Sequence, residues 1–523
     1  MSATVQSIIS NGSTGIIVDI ECHLSNNLPK IVIVGFANQA VGESKERIRG
    51  AFADSRIVLP RKRITINLAP ADVPKADSSF DLAIAVSILV ASEQIKTTFT
   101  KCEAFIGELG LDGSVRPVRG IIGKLMAGRD HGITTFYVPA ANLQQAQLVP
   151  HITVMPVSSL AQLHKYLMGD TTISPTDTGT GIYDLSTTSH NNVSSYFVHV
   201  SEVVGQDRAK RALEIAAAGG HNVCFSGPPG TGKSMLAKAL ASILPPLAHE
   251  EMLEVTQLHS LAGHDFERII TQRPFRAPHH SASQVAITGG GISLRPGEIS
   301  LSHRGVLFLD ELPEFGRATL EALRQPLEDR IISIARARDT IEYPADFILI
   351  GTANPCPCGY HGGSRCSCSA HQIEAYQRRV SGPILDRIDL YAEVHEVHHD
   401  RLLVQNPNPD ADEQMRRRIA DARAVQANRY GSAHKLNANM SNADIKRDAL
   451  VTAPAVTVLN AAANRMNLSA RSYMRAIKVA RTIADLEQSR EVTTAHISEA
   501  LTYRRHDSQH HQSTEAKSLT SVV

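Results

Sequence analysis

The chain has 523 residues, 42% of them hydrophobic, more than one ordinary core organises; at about one domain per 100–200 residues, a multidomain globular protein is expected. Its 53 Lys and Arg against 52 Asp and Glu leave a net charge of +1, which excludes nucleic-acid binding through a global basic field and leaves only local patches for that role. No basic-then-apolar leader opens the chain, and the most apolar helix-like run, DLAIAVSILVAS, is too short to cross a bilayer, so a cytoplasmic protein without a membrane partner is expected. In that reducing compartment clustered cysteines point to metal before disulfides.

Taken in order, the elements predict an α/β multidomain fold. Over 1–169, and most clearly from Gly15, β-rich runs (GIIVDIE, KIVIVG, RITINLAP, EAFIGEL, TTFYVPA, ITVMPV) alternate with the helical stretches VGESKERIRGAF and SSLAQLHKYLMG. Residues 170–196 turn to Ser, Thr, Gly and Asp and read as a linker. A second α/β region spans 197–394, and 395–503 carries helical periodicity in AVTVLNAAANRM and SYMRAIKVARTIADL. The tail 504–523 is polar enough to be expected disordered.

The second region opens on NVCFSGPPGTGKSMLAKALASIL, an apolar strand, a glycine-rich loop and a helix. In the loop Gly227-Pro228-Pro229-Gly230-Thr231-Gly232-Lys233-Ser234, the glycines let backbone N–H groups turn inward around phosphates. Lys233 reaches the β/γ oxygens and the Ser234 hydroxyl ligates Mg²⁺, so ATP is the expected cofactor. Downstream, GVLFLDEL ends a strand in Asp310, suited to hold Mg²⁺, and Glu311, suited to polarise an attacking water. DFILIGTAN ends another strand in Asn354, whose amide can orient that water. Each is otherwise an ordinary strand end or turn residue.

Immediately after Asn354, Cys356, Cys358, Cys366 and Cys368 form C-x-C-x7-C-x-C, with Gly359, Gly362 and Gly363 letting the loop fold back. Four thiolates at this spacing suit a structural Zn²⁺; His361 or His371 replacing one cysteine, free or redox-active thiols, and a disulfide are the alternatives. Cys22, Cys102 and Cys224 read as ordinary buried thiols. IISIARARDTIEY reads as a hairpin with Arg336 and Arg338 at its tip, the candidate DNA contacts, unless the tip is merely solvated. QMRRRIADARAVQANRY reads as the solvated face of a helix.

The phosphate loop, the Asp-Glu strand, the strand-terminal Asn and GPILDRIDL together resemble an AAA+ ATPase. That resemblance implies that Arg387 is an arginine finger lent to the next subunit of a ring and that Arg471 is the sensor arginine of a helical lid, with Arg475 and Arg481 competing for the second role. For either arginine a surface ion pair is the alternative. The insertion RPFRAPHHSASQVAITGGGISLRPGEISLSHRG, a hairpin-like piece with turns at Gly289–Gly291 and Pro296-Gly297, narrows the resemblance to magnesium-chelatase-like AAA+ proteins and, over nearly the whole chain, to the ComM/YifB family.

PKADSSFDLAIAVSILVAS and GELGLDGSVRPVRGIIGKLMAGRDHGITTFYVP resemble the proteolytic domain of Lon proteases, an S5-like fold. A Lon-type Ser-Lys dyad is missing: Asp81 falls near the serine position and Ile122 at the lysine position, although Ser78, Ser79 and Lys124 lie nearby. The family resemblance implies a hexameric, ATP-driven helicase that acts on single-stranded and branched DNA beside recombination proteins and promotes branch migration in natural transformation. A chelatase-type remodeller and an ATP-dependent protease are the competing readings.

Overall fold

The computed structural model describes residues 2–12, 14–35, 39–71, 78–97, 99–179, 198–263, 268–291, 294–336, 339–361, 365–397, 400 and 408–504. Arg338, Gly362, Gly363, residues 180–196 of the polar segment and the tail beyond residue 504 lie outside them.

The first region is built on an eight-stranded mixed sheet in the order Thr176–Asp177, Thr153–Val157, Thr135–Pro139, Glu103–Phe105, Ser2–Asn11, Thr14–Ser25, Arg63–Ala69, Lys30–Val34. This corrects the expected linker 170–196: Thr176–Asp177 pairs with Thr153–Val157, and buried Ile173 belongs to this region. Ser2–Asn11 is a strand that local pattern alone does not announce; its alternation of small polar and apolar residues acquires meaning only through its antiparallel register with Thr14–Ser25, Ser2 opposite His23 and Asn11 opposite Thr14. EAFIGEL is not one strand. Glu103–Phe105 stays in the sheet, while Glu108–Leu109 pairs separately with Val115–Arg116. The helix Asp81–Ala91 is apolar on every side and sits inside the core, as a helix without a polar face must.

The second region is a five-stranded parallel sheet in the order Phe275–Arg276, Val306–Leu309, Ile348–Ala353, Val223–Ser226, Leu390–Glu393. Its strands read as short unbroken apolar runs because both faces are covered. The register places the site: Ser226 lies beside Ala353 and Leu309 beside Gly351, so the phosphate loop, Asp310 and Asn354 all emerge at one carboxyl-end edge. Ile331–Arg336 and Asp339–Pro344 form the expected hairpin, closing at Arg336 opposite Asp339.

The carboxyl-terminal part is helical: Pro409–Tyr430, Asn442–Asp448, Ala453–Arg465, Ala470–Leu486 and Thr494–Thr502. Pro409–Tyr430 keeps exposed arginines, Arg417 among them, but corrects the reading of its basic residues as a wholly solvated face. Arg418 pairs with Glu214 at 2.7 Å, Arg423 donates to the Ala217 carbonyl at 2.7 and 2.9 Å, and Arg429 pairs with Asp485 at 2.9 Å, so these arginines dock the helix. The two α/β regions touch through the helices Ile121–Asp130 and His249–Ala262, where the Gly120 N–H donates to Ser260 Oγ and the Gly123 N–H to Gln257 Oε1, both at 2.9 Å. Among the described residues no helix is long and apolar enough to cross a membrane.

Candidate functional site

Val223–Ser226 runs into the loop at Gly227, where no side chain fits: a Cβ there would stand 2.1 Å from the Val394 carbonyl oxygen. Gly230 and Gly232 take φ of +77° and +87°, the left-handed backbone that brings successive N–H groups to one side before the helix Lys233–Ile243 begins. The loop closes around its own lysine. Lys233 Nζ donates to the carbonyls of Gly227 and Pro228, both at 2.7 Å, and to Asn354 Oδ1 at 3.1 Å, while Thr231 Oγ1 donates to the Pro228 carbonyl at 2.9 Å. Burial pulls the Lys233 ammonium below its usual range, with Asp310 and Glu311 opposing the shift. Phosphate oxygens are stronger acceptors for this cation than the carbonyls it holds.

At the mouth of the loop three side chains and one backbone N–H form a hydrogen-bonded chain. Ser234 Oγ donates to Asp310 Oδ2 at 3.1 Å; Thr352 Oγ1 donates to Asp310 Oδ1 at 2.6 Å and accepts from the Glu311 N–H at 2.8 Å. Glu311 has a φ of +54°, a conformation that costs a non-glycine residue of order 1 kcal/mol and clusters at functional sites. Asp310 and Glu311 are exposed, whereas Thr352 is fully buried. Ser234 Oγ and Asp310 Oδ2 are hard oxygens close enough to share one Mg²⁺, which keeps several waters when so few protein ligands hold it; the residues fit that ion. Thr352 is absent from the sequence reading. A signal existed, since two residues before Asn354 on a strand means the same face.

The sulfurs of Cys356, Cys358, Cys366 and Cys368 all lie within 4.8 Å of one another, with Cys356–Cys358 at 3.3 Å, Cys358–Cys366 at 3.7 Å and Cys356–Cys366 at 3.9 Å. A tetrahedron with Zn–S of about 2.3 Å has edges of about 3.8 Å, so this donor set fits Zn²⁺. All four thiols are free, and neither His361 nor His371 is part of the cluster; of the isolated cysteines Cys22 and Cys224 are buried as expected, whereas Cys102 is exposed, which corrects its reading as a buried thiol. N–H groups of Tyr360 and Ser367 draw the Cys358 thiol down to about 6. Gly359, at φ +85°, lies against the loop: a Cβ on it would come within 2.6 Å of Pro229 Cδ.

Arg387 and Arg471 line a different cleft. Arg387 is 9% exposed, donates to the Pro383 carbonyl at 2.7 Å and is ion-paired with Glu328, whose other oxygen stands 3.8 Å from Arg471. Arg475 pairs with Asp389 at 3.6 Å. Arg481 is committed elsewhere: it is fully buried on Asp485 and on the carbonyls of Ser489, Arg490 and Ala449. Arg336 ends a hairpin strand, and Arg338 lies outside the described residues.

In the first region Asp81, the residue near the serine position, is buried on Arg47 at 2.6 Å and accepts the Leu109 N–H at 3.3 Å. Ser78 is hydrogen-bonded to Glu108, Ser79 donates to the Ile8 carbonyl at 3.4 Å, and Ser79, Lys124 and Ile122 are all buried.

Family models match almost end to end: "Subunit ChlI of Mg-chelatase" over residues 20–142, "Magnesium chelatase, subunit ChlI" over 199–402, and "Magnesium chelatase, subunit ChlI C-terminal" over 410–504. The chain is 40% identical to competence protein ComM of Haemophilus influenzae over 503 residues, 96% of this chain and 97% of that protein. It is 39% identical to YifB of Salmonella typhimurium over 504 residues, 94% of each. With the magnesium-chelatase 67 kDa subunit of Heliobacterium mobile it shares 26% identity over 262 residues, 43% of this chain and 38% of that one.

Proposed function

We propose a function from the family to which this chain belongs, the ComM/YifB group of magnesium-chelatase-like AAA+ ATPases: an ATP-driven ring, a homo-hexamer, that translocates on DNA. The finer reading is a helicase that acts on single-stranded and branched DNA and promotes branch migration as incoming strands recombine during natural transformation. The whole-length similarity to a competence protein supports the DNA role, and recombination proteins are the partners it implies.

The observation that carries the catalytic half is the hydrogen-bonded chain from Ser234 through Asp310 and Thr352 to Glu311 at the mouth of the loop. Loop N–H groups and Lys233 hold the β- and γ-phosphates. A Mg²⁺ held by Ser234 and Asp310 would supply charge neutralisation on those oxygens. Glu311 accepts the proton of the attacking water, Asn354 orients that water, and Arg387 from the adjoining subunit, together with the lid arginine Arg471, steadies the charge that develops on the transferred group. Arg336 and Arg338, repeated around the ring, would track the phosphate backbone. Cys356, Cys358, Cys366 and Cys368 would hold a Zn²⁺ that braces the loop resting on Pro229. Metal analysis should return about one zinc per chain, lost when Cys356 and Cys358 are changed to Ser.

Strand displacement on forked and three-stranded DNA tests this reading. ATP-dependent displacement by the unaltered protein is expected, and Glu311→Gln should bind ATP yet displace nothing. ATP turnover without any displacement would favour the chelatase-type remodeller, for which the partial likeness to a magnesium-chelatase subunit speaks. Peptide hydrolysis would favour a protease, against which the burial of Asp81 on Arg47 stands.

A further inference from the structure

The cleft that holds Arg387 and Arg471 has a volume of about 610 Å³ and is also lined by Arg330, Arg475, Lys478, Glu328 and Asp389, five cations to two carboxylates. Asp389 is already committed, accepting from His221 Nδ1 at 3.3 Å and from the Asn222 N–H at 3.2 Å; against the effect of burial, His221 and Arg475 hold its carboxyl well below the usual range. Glu328 is different. It gives one oxygen to each arginine, and its side chain is 53% exposed, so solvent weakens its hold. Two guanidinium donors of residues that line this cleft, Arg387 Nε and Arg475 Nη1, are buried without an acceptor among the described residues. A buried N–H lacking an acceptor is uncommon enough to mark this cleft as short of acceptors, and a phosphate group brings more oxygens than the single Glu328 carboxylate.

Glu328 also sits at the root of the hairpin. Its helix, Arg324–Asp329, passes through Arg330 at φ +61° directly into the strand Ile331–Arg336. Gln325 and Ser333 clamp helix to strand, Gln325 Nε2 donating to Ser333 Oγ at 3.0 Å and the Ser333 N–H to Gln325 Oε1 at 3.3 Å. These contacts couple the hairpin to the helix that carries Glu328.

We propose that Glu328 is a placeholder: its carboxylate occupies the seat that the terminal phosphate of a neighbour's nucleoside triphosphate takes between Arg387 and Arg471, and hairpin engagement by a nucleic-acid strand withdraws it. The inference rests on the reading of Arg387 as the arginine lent to the adjoining subunit. Carboxylate and phosphate compete for the same donors, and leaving Glu328 in place would set like charges against each other.

The experiment compares ATP turnover of the full chain and its Glu328→Gln variant across protein concentrations, with and without a single-stranded oligonucleotide, with assembly followed by sedimentation velocity. Because an exposed pair is weak, Glu328→Gln should raise DNA-free turnover by about three- to fivefold, reduce the stimulation by DNA by the same factor, and assemble at lower concentration in ATP. Adding Arg387→Ala should erase the gain. Glu328→Asp, which keeps the charge on a shorter arm, should give a smaller gain and serves if the Gln variant does not fold. Turnover at or below the unaltered level in the soluble variants, or a gain that survives Arg387→Ala, overturns the placeholder. Turnover indifferent to Arg387→Ala in the otherwise unaltered chain strikes the arginine assignment instead.

Discussion

In the first α/β region Asp81, Ser79 and Lys124 are fully buried, and Asp81 is spent on Arg47 and on the Leu109 N–H. At the edge of the parallel sheet Asp310 and Glu311 are exposed, and Lys233 leans on backbone carbonyls that stronger acceptors can replace. Both regions contain residue types that do chemistry. The difference is where their partners lie: polar groups satisfied inside the fold hold it together, whereas groups left reachable at a strand's end are available to a ligand. The resemblance of the first region to a protease domain and the environment of its residues thus point in opposite directions.

Lys233→Ala is the strongest test of that contrast. It removes the one cation inside the loop, and ATP turnover should fall by about 10²–10³-fold, with binding of a fluorescent nucleotide analogue weakened as well. Turnover within a few-fold of the unaltered protein would move the chemistry off the parallel sheet. Asp81→Ala is the counterpart in the first region. Stranding Arg47, which keeps some solvent contact, should lower stability by about 3 kcal/mol, seen as an earlier unfolding transition, with turnover at 25 °C unchanged. A loss of turnover comparable to that of Lys233→Ala would show that Asp81 takes part in the reaction, and the contrast between the regions would collapse.

Elements that carry their own turn chemistry were legible in the sequence. The phosphate loop contains the glycines that its backbone requires, the strands ending in Asp310 and Asn354 are short apolar runs, and the four cysteines are close enough in the chain to meet in space. The helices Ala453–Arg465 and Ala470–Leu486 follow their periodicity. The features that stay hidden in the sequence depend on partners far along the chain. Arg418 and Arg429 look solvated until Glu214 and Asp485 stand opposite them, Ser2–Asn11 does not announce a strand until Thr14–Ser25 pairs with it, and Glu328 is an unremarkable helix residue until Arg387 and Arg471 converge on it. Periodicity reports the faces of an element and says nothing about which distant group each face meets.

Thr352 sharpens the comparison most finely, because it is a buried polar residue inside the reachable site. Its fully buried hydroxyl donates to the Asp310 carboxylate and accepts from the Glu311 N–H, so it acts by fixing the Asp310 carboxylate relative to the backbone that carries Glu311. Thr352→Val keeps the shape and deletes the hydroxyl. Losing one hydrogen bond to a charged group and stranding a backbone donor should lower kcat by about tenfold, about 1.4 kcal/mol in the barrier, while KM for ATP stays within about twofold. Thr352→Ser restores the hydroxyl and should recover most of the rate. A raised KM at constant kcat would mean that the hydroxyl serves nucleotide binding through Asp310. Failure of Ser to rescue would reduce Thr352 to packing, and the buried interior of the site would then behave like the buried interior of the first region.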